Sequence, residues 1–430
     1  MVPTLLATAV AALVRSLAAL WLQRWNIGAP AFMVLAGFLL GLDTGDTVES
    51  ALNTHVAQHV CEIVLAFLLF IDATEIRGGR LWGTSPRLVA RVLLVAMPLS
   101  LGAAMLLGAW LFPHLPWAVL LIIACVVVPI DFAPAEHLVR DQRLSARVRS
   151  VLNIEGGYND GIISPVFLFA LLLAGSASGV STPVEALATA LTQAGVAIAV
   201  GLALGAVMAW ALDRAGRAGW MTDQSRRIAV VLTPVVTYCA AVQLRGNGFV
   251  ASFVCGIAFR YLHRVLTARA IRSIPRLPPA QPPAQPPAQP PARASTVLTH
   301  DFGLIEDVTA LMTLTMWFVV GIATVVTPEL GLSWQAALFC LGALTLVRVL
   351  PVLGSLTASP LPRADRVLLS LLGPRGTTSI VFGLIAYNQL PTGPGADTVL
   401  LTTVLCVLGS VLLHGMGSDT VIRRLAPTPR

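Results

Sequence analysis

Of the 430 residues, 56% are hydrophobic and only 11% are charged, with a mean hydropathy of +0.80, whereas a water-soluble domain carries about 25% charged residues. The chain therefore reads as an all-α polytopic membrane protein, which excludes the soluble enzyme classes. All 28 basic residues are arginine, and the net charge is +7; their placement follows membrane topology, so no nucleic-acid partner is expected.

A membrane-crossing helix needs about 20 mostly apolar residues. That window predicts thirteen, over residues 4–22, 27–42, 57–74, 88–111, 116–135, 151–174, 186–212, 228–243, 247–262, 302–327, 334–357, 367–388 and 397–414. The first has no charged residue ahead of it and no small-residue cleavage site, and reads as a retained span. The third carries Asp72 in "LAFLLFIDATEI", and the fifth carries Asp131 in "PIDFAP", between Pro129 and Pro134. The sixth contains "NIEGGYNDGIISPVFLF". On a helix, Glu155 and Asn159 share a face there, and Asp160 lies 100° further round.

Between the ninth and tenth spans, a PPAQ repeat at 275–297 is expected to form an extended cytoplasmic spacer. Glu306 and Asp307 open the tenth span, near its wet end. The eleventh holds Arg348. The twelfth is interrupted by "GPRGTTS", with Gly373, Pro374 and Gly376 around Arg375, and a short tail follows at 415–430. The six cysteines lie in apolar segments and read as small core residues, fitting neither a disulfide framework nor a metal knuckle. There is no serine–histidine or metal-ligand cluster, and His137 and His414 lie near cytoplasmic span ends. Catalysis is therefore not expected, and neither is a cofactor.

Arginine placement tests the count. With the N-terminus outside, the inward loops hold 24 of the 28 arginines and the outward loops only Arg245, while Arg15, Arg348 and Arg375 fall within spans. This bias supports the count of thirteen and predicts a cytoplasmic C-terminus; the expected location is the inner membrane of a bacterium, as a multi-pass protein.

A carboxylate at mid-membrane costs ~2.5–3.5 kcal/mol on insertion scales, so such residues pair or mark an ion path. Asp72, Asp131, Glu155 and Asp160 are the four to explain. Spans one to six (1–174) and eight to thirteen (228–414) read as two inverted six-helix repeats joined by 186–212. The interrupted fifth and twelfth spans then correspond, and are expected to cross. Broken backbone at membrane depth survives only where it lines a cavity or is buried, and paired broken helices point to a transporter's midplane site. Arg375 is expected to neutralise half-helix carbonyl ends near that crossing.

These residues resemble NhaP-type sodium/proton antiporters of the monovalent cation:proton antiporter family. "LNIEGGYNDGIISP" is similar to the family's Asn-Asp segment and "PIDFAP" to its P-T-D segment, with Asp131 and Asp160 29 residues apart. "GNGFVASFVCGIAF", "LTLVRVLPVL", "GPRGTTSIVFGL" and "SVLLHG" resemble later blocks in the same order. The resemblance implies electroneutral exchange of Na+ or Li+ for H+ by alternating access in a homodimer, for pH homeostasis. Asp160 would bind proton or cation beside Asn159, with Na+ or Li+ at Asp160 and Asp131, and Asp72 matches an acidic third-span position. Glu155 would form a buried ion pair with Arg348. Ile130 replaces the family's threonine, which acts through its backbone carbonyl. Gly156 replaces a serine, an oxygen ligand whose place a water or Ser164 would take. The alternatives are a K+/H+ antiporter, or a non-transporting or altered-specificity relative of the same fold. An organic-anion transporter would need arginines where carboxylates dominate here.

Overall fold

The computed structural model describes residues 2–25, 28–52, 55–75, 85–132, 135, 138, 141–175, 182–273, 294–326 and 333–425. The PPAQ repeat, Pro134 and His137 lie outside them. All regular structure among the described residues is helical: α1 (Val2–Leu17), α2 (Ala19–Arg24), α3 (Ala29–Leu52), α4 (His55–Glu75), α5 (Pro86–Arg91), a π turn (Val92–Ala96), α6 (Met97–Leu111), α7 (Trp117–Val127), α8 (Ala146–Ala174), α9 (Pro183–Arg217), α10 (Asp223–Gln243), α11 (Gly248–Ser273), α12 (Ala294–Val326), α13 (Trp334–Leu344), α14 (Leu346–Leu356), α15 (Arg363–Leu371), α16 (Thr377–Gln389), α17 (Pro394–Ser410), a second π turn (Val411–Met416) and α18 (Ser418–Leu425).

Eight helical stretches among the described residues are long and apolar enough to cross a membrane: Pro86–Leu111, Ala146–Ala174, Pro183–Arg217, Asp223–Gln243, Gly248–Leu266, Phe302–Val325, Trp334–Leu356 and Pro394–Gly415. Shorter apolar helices cover Leu6–Leu17, Ala29–Leu42 and Trp117–Val127. Exposed side chains on these helices are themselves apolar at helical spacing, as in Leu6, Val10, Leu13 and Leu17 of α1 and Val184, Leu187 and Leu191 of α9. In water such stripes would drive aggregation; in lipid they are the solvated face. The chain is a multi-pass membrane protein.

Polar residues at the helix ends account for several of the boundaries. Thr182 and Glu185 form a reciprocal capping box, each accepting the other's amide at 3.3 Å. Thr222, Ser145 and Ser333 each accept an amide three residues on. Three expectations need correction. The 4–22 window is interrupted at Ala18, and the 334–357 window at Thr345 (φ −122°, ψ −90°). Cys239, expected in the core, is exposed, because it lies on the outward side of α10. Glu306 and Asp307 are exposed, as end positions should be.

The chain forms two compact units. In the first (residues 1–65, 75–191 and 311–430), α3 and α12 cross at Gly37 and Gly321, where a Cβ on Gly321 would stand 2.9 Å from the Gly37 Cα. Only paired glycines allow that approach. In the second (66–74 and 192–310), α11 packs on α10 and against Gly201 and Gly205 of α9, and Phe259 lies 5.9 Å from Phe70 and stacks on His263.

At one end of the first unit, three segments that carry inward-assigned arginines meet. Arg143 bridges Asp141 at 2.6 Å and Asp419 at 2.7 Å, Ser145 Oγ donates to Asp365 at 2.9 Å, and Arg423 also binds Asp419. Hydrogen bonds from Arg423 and Arg143 hold the Asp419 carboxyl down to about 2. A depressed folded-state pKa contributes stability above the ordinary carboxylate value and loses it as pH falls through the folded one. Asp419→Asn should therefore lower the melting temperature in detergent by about 1–2 °C at pH 7. The gap to the unaltered chain should close between about pH 4 and pH 2, and a gap constant over that range would contradict the assignment.

Candidate ion-binding site

Two helices break where the sequence places proline and glycine. After α7 ends at Val127, residues 128–132 are not helical; between α15 and α16, residues 372–376 are not helical either. The two broken stretches join, with the Asp131 amide donating to Pro374 O at 2.9 Å. A helix end leaves unpaired carbonyls, and a helix start leaves unpaired amides. Both kinds are met at the crossing. Arg375, fully buried, donates through Nε to Val127 O, the last carbonyl of α7, and through Nη1 to Gly373 O at 2.6 Å. Its own amide donates to Ser410 Oγ at 2.6 Å. His414, which the sequence places at a span end, is buried with its Nε2 3.2 Å from Leu371 O, the last carbonyl of α15, and its Nδ1 3.4 Å from Ser410 Oγ. In the opposite sense, the first turn of α16 faces Asp131: the Thr378 amide donates to Asp131 Oδ2 at 3.4 Å. An anion is favoured at a helix N-terminus and a cation at a C-terminus. Gly376 is required here, since a Cβ on it would stand 2.5 Å from Asp131 Oδ2.

Helix α8 passes beside this crossing and carries four of the polar residues. Glu155 and Arg348 of α14 form a bidentate buried pair, Nη1 to Oε1 at 2.6 Å and Nη2 to Oε2 at 3.1 Å, and Nη2 also donates to Leu369 O at 3.1 Å. One turn on, Asn159 Nδ2 donates to Ile130 O at 2.7 Å, so the backbone carbonyl of Ile130 anchors the amide of the Asn-Asp pair. Asn159 Oδ1 accepts the Asp160 amide at 2.6 Å.

Asp160 is 2% exposed, and its Oδ2 accepts the Thr378 hydroxyl at 2.7 Å. Its Oδ1 has no hydrogen-bond partner among the described residues, and neither has the buried Ser164 Oγ four residues on. A small pocket reaches the back of this arrangement, lined by Ser100, Pro129, Ile130, Glu155, Asn159 and Arg348, among others. The π turn at Val92–Ala96 packs on α14 beside it. No group of three or more His, Cys, Asp or Glu among the described residues could hold a resident metal.

The crossing thus brings together Asp131, Ile130, Asn159, Asp160 and Arg375, with Glu155 and Arg348 one turn away and Ser164 on the next turn of α8. Asp72 lies half-buried on α4, in the second unit. Gly156 has open room only up to Phe132, whose ring would meet its Cβ at 3.1 Å, so a bulky aromatic edge fills the side on which a longer residue would extend. Sequence reasoning missed Thr378, Ser410 and the inward placement of His414. Thr378 sits at the second position of a helix that restarts after glycine, where an unpaired amide is expected, and that was the available signal.

A family model described as the transmembrane sodium/hydrogen exchanger matches residues 8–423. Two curated relatives, each a K(+)/H(+) antiporter NhaP2, from Shewanella sp. strains MR-4 and MR-7, are 24% identical over 418 residues. The alignments cover 94% of this chain but 65% of each relative, so the chain spans just under two thirds of their length. The structure of the sodium proton antiporter MjNhaP1 from Methanocaldococcus jannaschii at pH 8 superposes with a TM-score of 0.75 at 19% identity, covering 98% of this chain and 97% of that one. An electron-microscopy structure of MjNhaP1 gives 0.69 at 15% identity, covering 100% and 99%. At such identities the likeness speaks for the fold.

Proposed function

The chain belongs to the sodium/hydrogen exchanger family, and from that premise we propose that it is a secondary antiporter, exchanging a monovalent cation for H+ by competition at Asp160. One observation carries this reading: a carboxylate 2% exposed, beside two broken helices, with one oxygen unengaged and no arginine paired to it among the described residues. A bare charge so placed is costly. Either a proton or a cation removes the cost. A site that is neutral enough to change sides only when it holds one of the two exchanges them obligatorily.

Sodium and lithium prefer hard oxygen ligands, and Asp160, Asp131, the Ile130 carbonyl and Ser164 offer them. Asn159, engaged with Ile130 O, adds no charge, so one proton replaces one cation and exchange is electroneutral. The architecture that goes with this reading has thirteen spans, with 1–174 and 228–414 as inverted repeats about 186–212. The N-terminus is outside and the C-terminus cytoplasmic, in a homodimer of a bacterial inner membrane. Potassium is the second reading, favoured by the K(+)/H(+) antiport for which the Shewanella relatives are named.

Everted membrane vesicles with a proton-gradient dye, given sodium, lithium or potassium in turn, test both readings. Sodium- and lithium-evoked dequenching, unchanged when the membrane potential is collapsed, is the expected result. A response to potassium alone selects the second reading. No response to any of the three sinks antiport.

A further inference from the structure

Thr378 touches both carboxylates of the crossing. Its hydroxyl donates to Asp160 Oδ2 at 2.7 Å and its amide donates to Asp131 Oδ2 at 3.4 Å, and the residue is 2% exposed. The arrangement is closely packed on the side of α16. Thr378 follows the stretch where the Asp131 amide binds Pro374 O and where Gly376 is pressed against the Asp131 side chain. On the side of α8, two oxygens are unengaged. Asp160 Oδ1 and Ser164 Oγ are buried and have no hydrogen-bond partner among the described residues, and they lie one helical turn apart on one face.

A hydroxyl carries one proton and two lone pairs, and it rotates to suit its neighbour. Against an ionised Asp160 it donates, along the 2.7 Å contact to Oδ2. Once Asp160 is protonated or holds a cation, the carboxylate no longer needs that proton, and the hydroxyl can turn a lone pair toward the proton or the ion. We propose that Thr378 is a direct ligand of the transported cation and sets the site's affinity among alkali cations, completing a set with Asp160 and Ser164. This proposal rests on the antiport reading above.

The test is dye-monitored exchange in everted vesicles containing the full chain, with sodium, lithium and potassium titrated separately on the unaltered protein, Thr378→Val, Thr378→Ala, Thr378→Ser and Asp160→Asn. Valine keeps the shape and removes the oxygen. If Thr378 is a ligand, Thr378→Val raises the apparent KM for the transported cation by ~10-fold with the maximal rate within about twofold, and unequally across the three cations. Thr378→Ser restores the KM to within about threefold. A merely structural role would lower the maximal rate and folded yield without a cation-dependent change in KM. Should the valine variant fail to reach the membrane, Thr378→Ala and Thr378→Ser differ by one oxygen atom and make the same comparison. An unchanged KM for all three cations in a folded Thr378→Val or Thr378→Ala, with Asp160→Asn inactive, overturns this proposal and leaves antiport standing. An unaltered protein that exchanges none of the three overturns both.

Discussion

Asp160→Asn should abolish cation-evoked proton movement, to the level of vesicles without the protein, while the variant reaches the membrane in normal amount. Asparagine has the same shape, and its carbonyl oxygen still accepts from the Thr378 hydroxyl that now binds Asp160 Oδ2. What it lacks is the ability to take up a proton or to neutralise a cation. Because a buried neutral amide is cheaper than a buried charge, the purified variant should melt no lower than the unaltered chain in detergent. Residual exchange in a folded Asp160→Asn would remove Asp160 from the centre of the mechanism. A variant that is both inactive and unstable would mark it as structural.

Glu155 and Arg348 should behave in the opposite way. Both are buried, and the pair is bidentate, with Arg348 also holding Leu369 O. Removing one partner strands the other charge, at a cost of ~3–5 kcal/mol, against a total stability of ~5–15 kcal/mol. Glu155→Gln or Arg348→Ala is therefore expected to cut the yield of monodisperse protein in size-exclusion chromatography severely. Replacing both, as Glu155→Leu with Arg348→Met, should recover part of the yield, since an apolar pair of similar volume avoids the stranded charge. Recovery stays incomplete because Leu369 O loses its donor. Single variants with full yield and unaltered melting would contradict a structural pair.

Helical class and the positions of most helices were legible because a bilayer admits few alternatives: backbone groups must be satisfied within the segment, so apolar runs become helices. The two broken stretches were legible because proline and glycine mark them. Hydropathy carries no sign of the interruption at Thr345 or of the π turns at Val92–Ala96 and Val411–Met416, since packing against neighbouring helices decides them. Charged residues stood out in the sequence because their burial demands compensation. Thr378 did not, since a threonine in an apolar helix ordinarily bonds the carbonyl one turn back, as Thr403 does to Val399. Only the crossing of α16 with α8 turns its hydroxyl into something else. Cys239 was misplaced for a similar reason: apolar surroundings in sequence do not tell the bundle side of a helix from the lipid side.

The distance along the chain between the partners at the crossing has a consequence for biosynthesis. Glu155 and Arg348 are separated by 193 residues, and Asp160 and Thr378 by 218. At ~5–20 residues per second, ribosomes take roughly 10–40 s to make the intervening stretch. Throughout that interval α8 has been synthesised, while the guanidinium and the hydroxyl that will receive its carboxylates do not yet exist. A nascent helix in that state carries carboxyl groups without their partners, and has to be held by the insertion machinery away from open lipid. The first half of the protein is thus an unfinished membrane domain until its second half arrives, and premature termination anywhere before Arg348 leaves a fragment with its acidic helix unmatched.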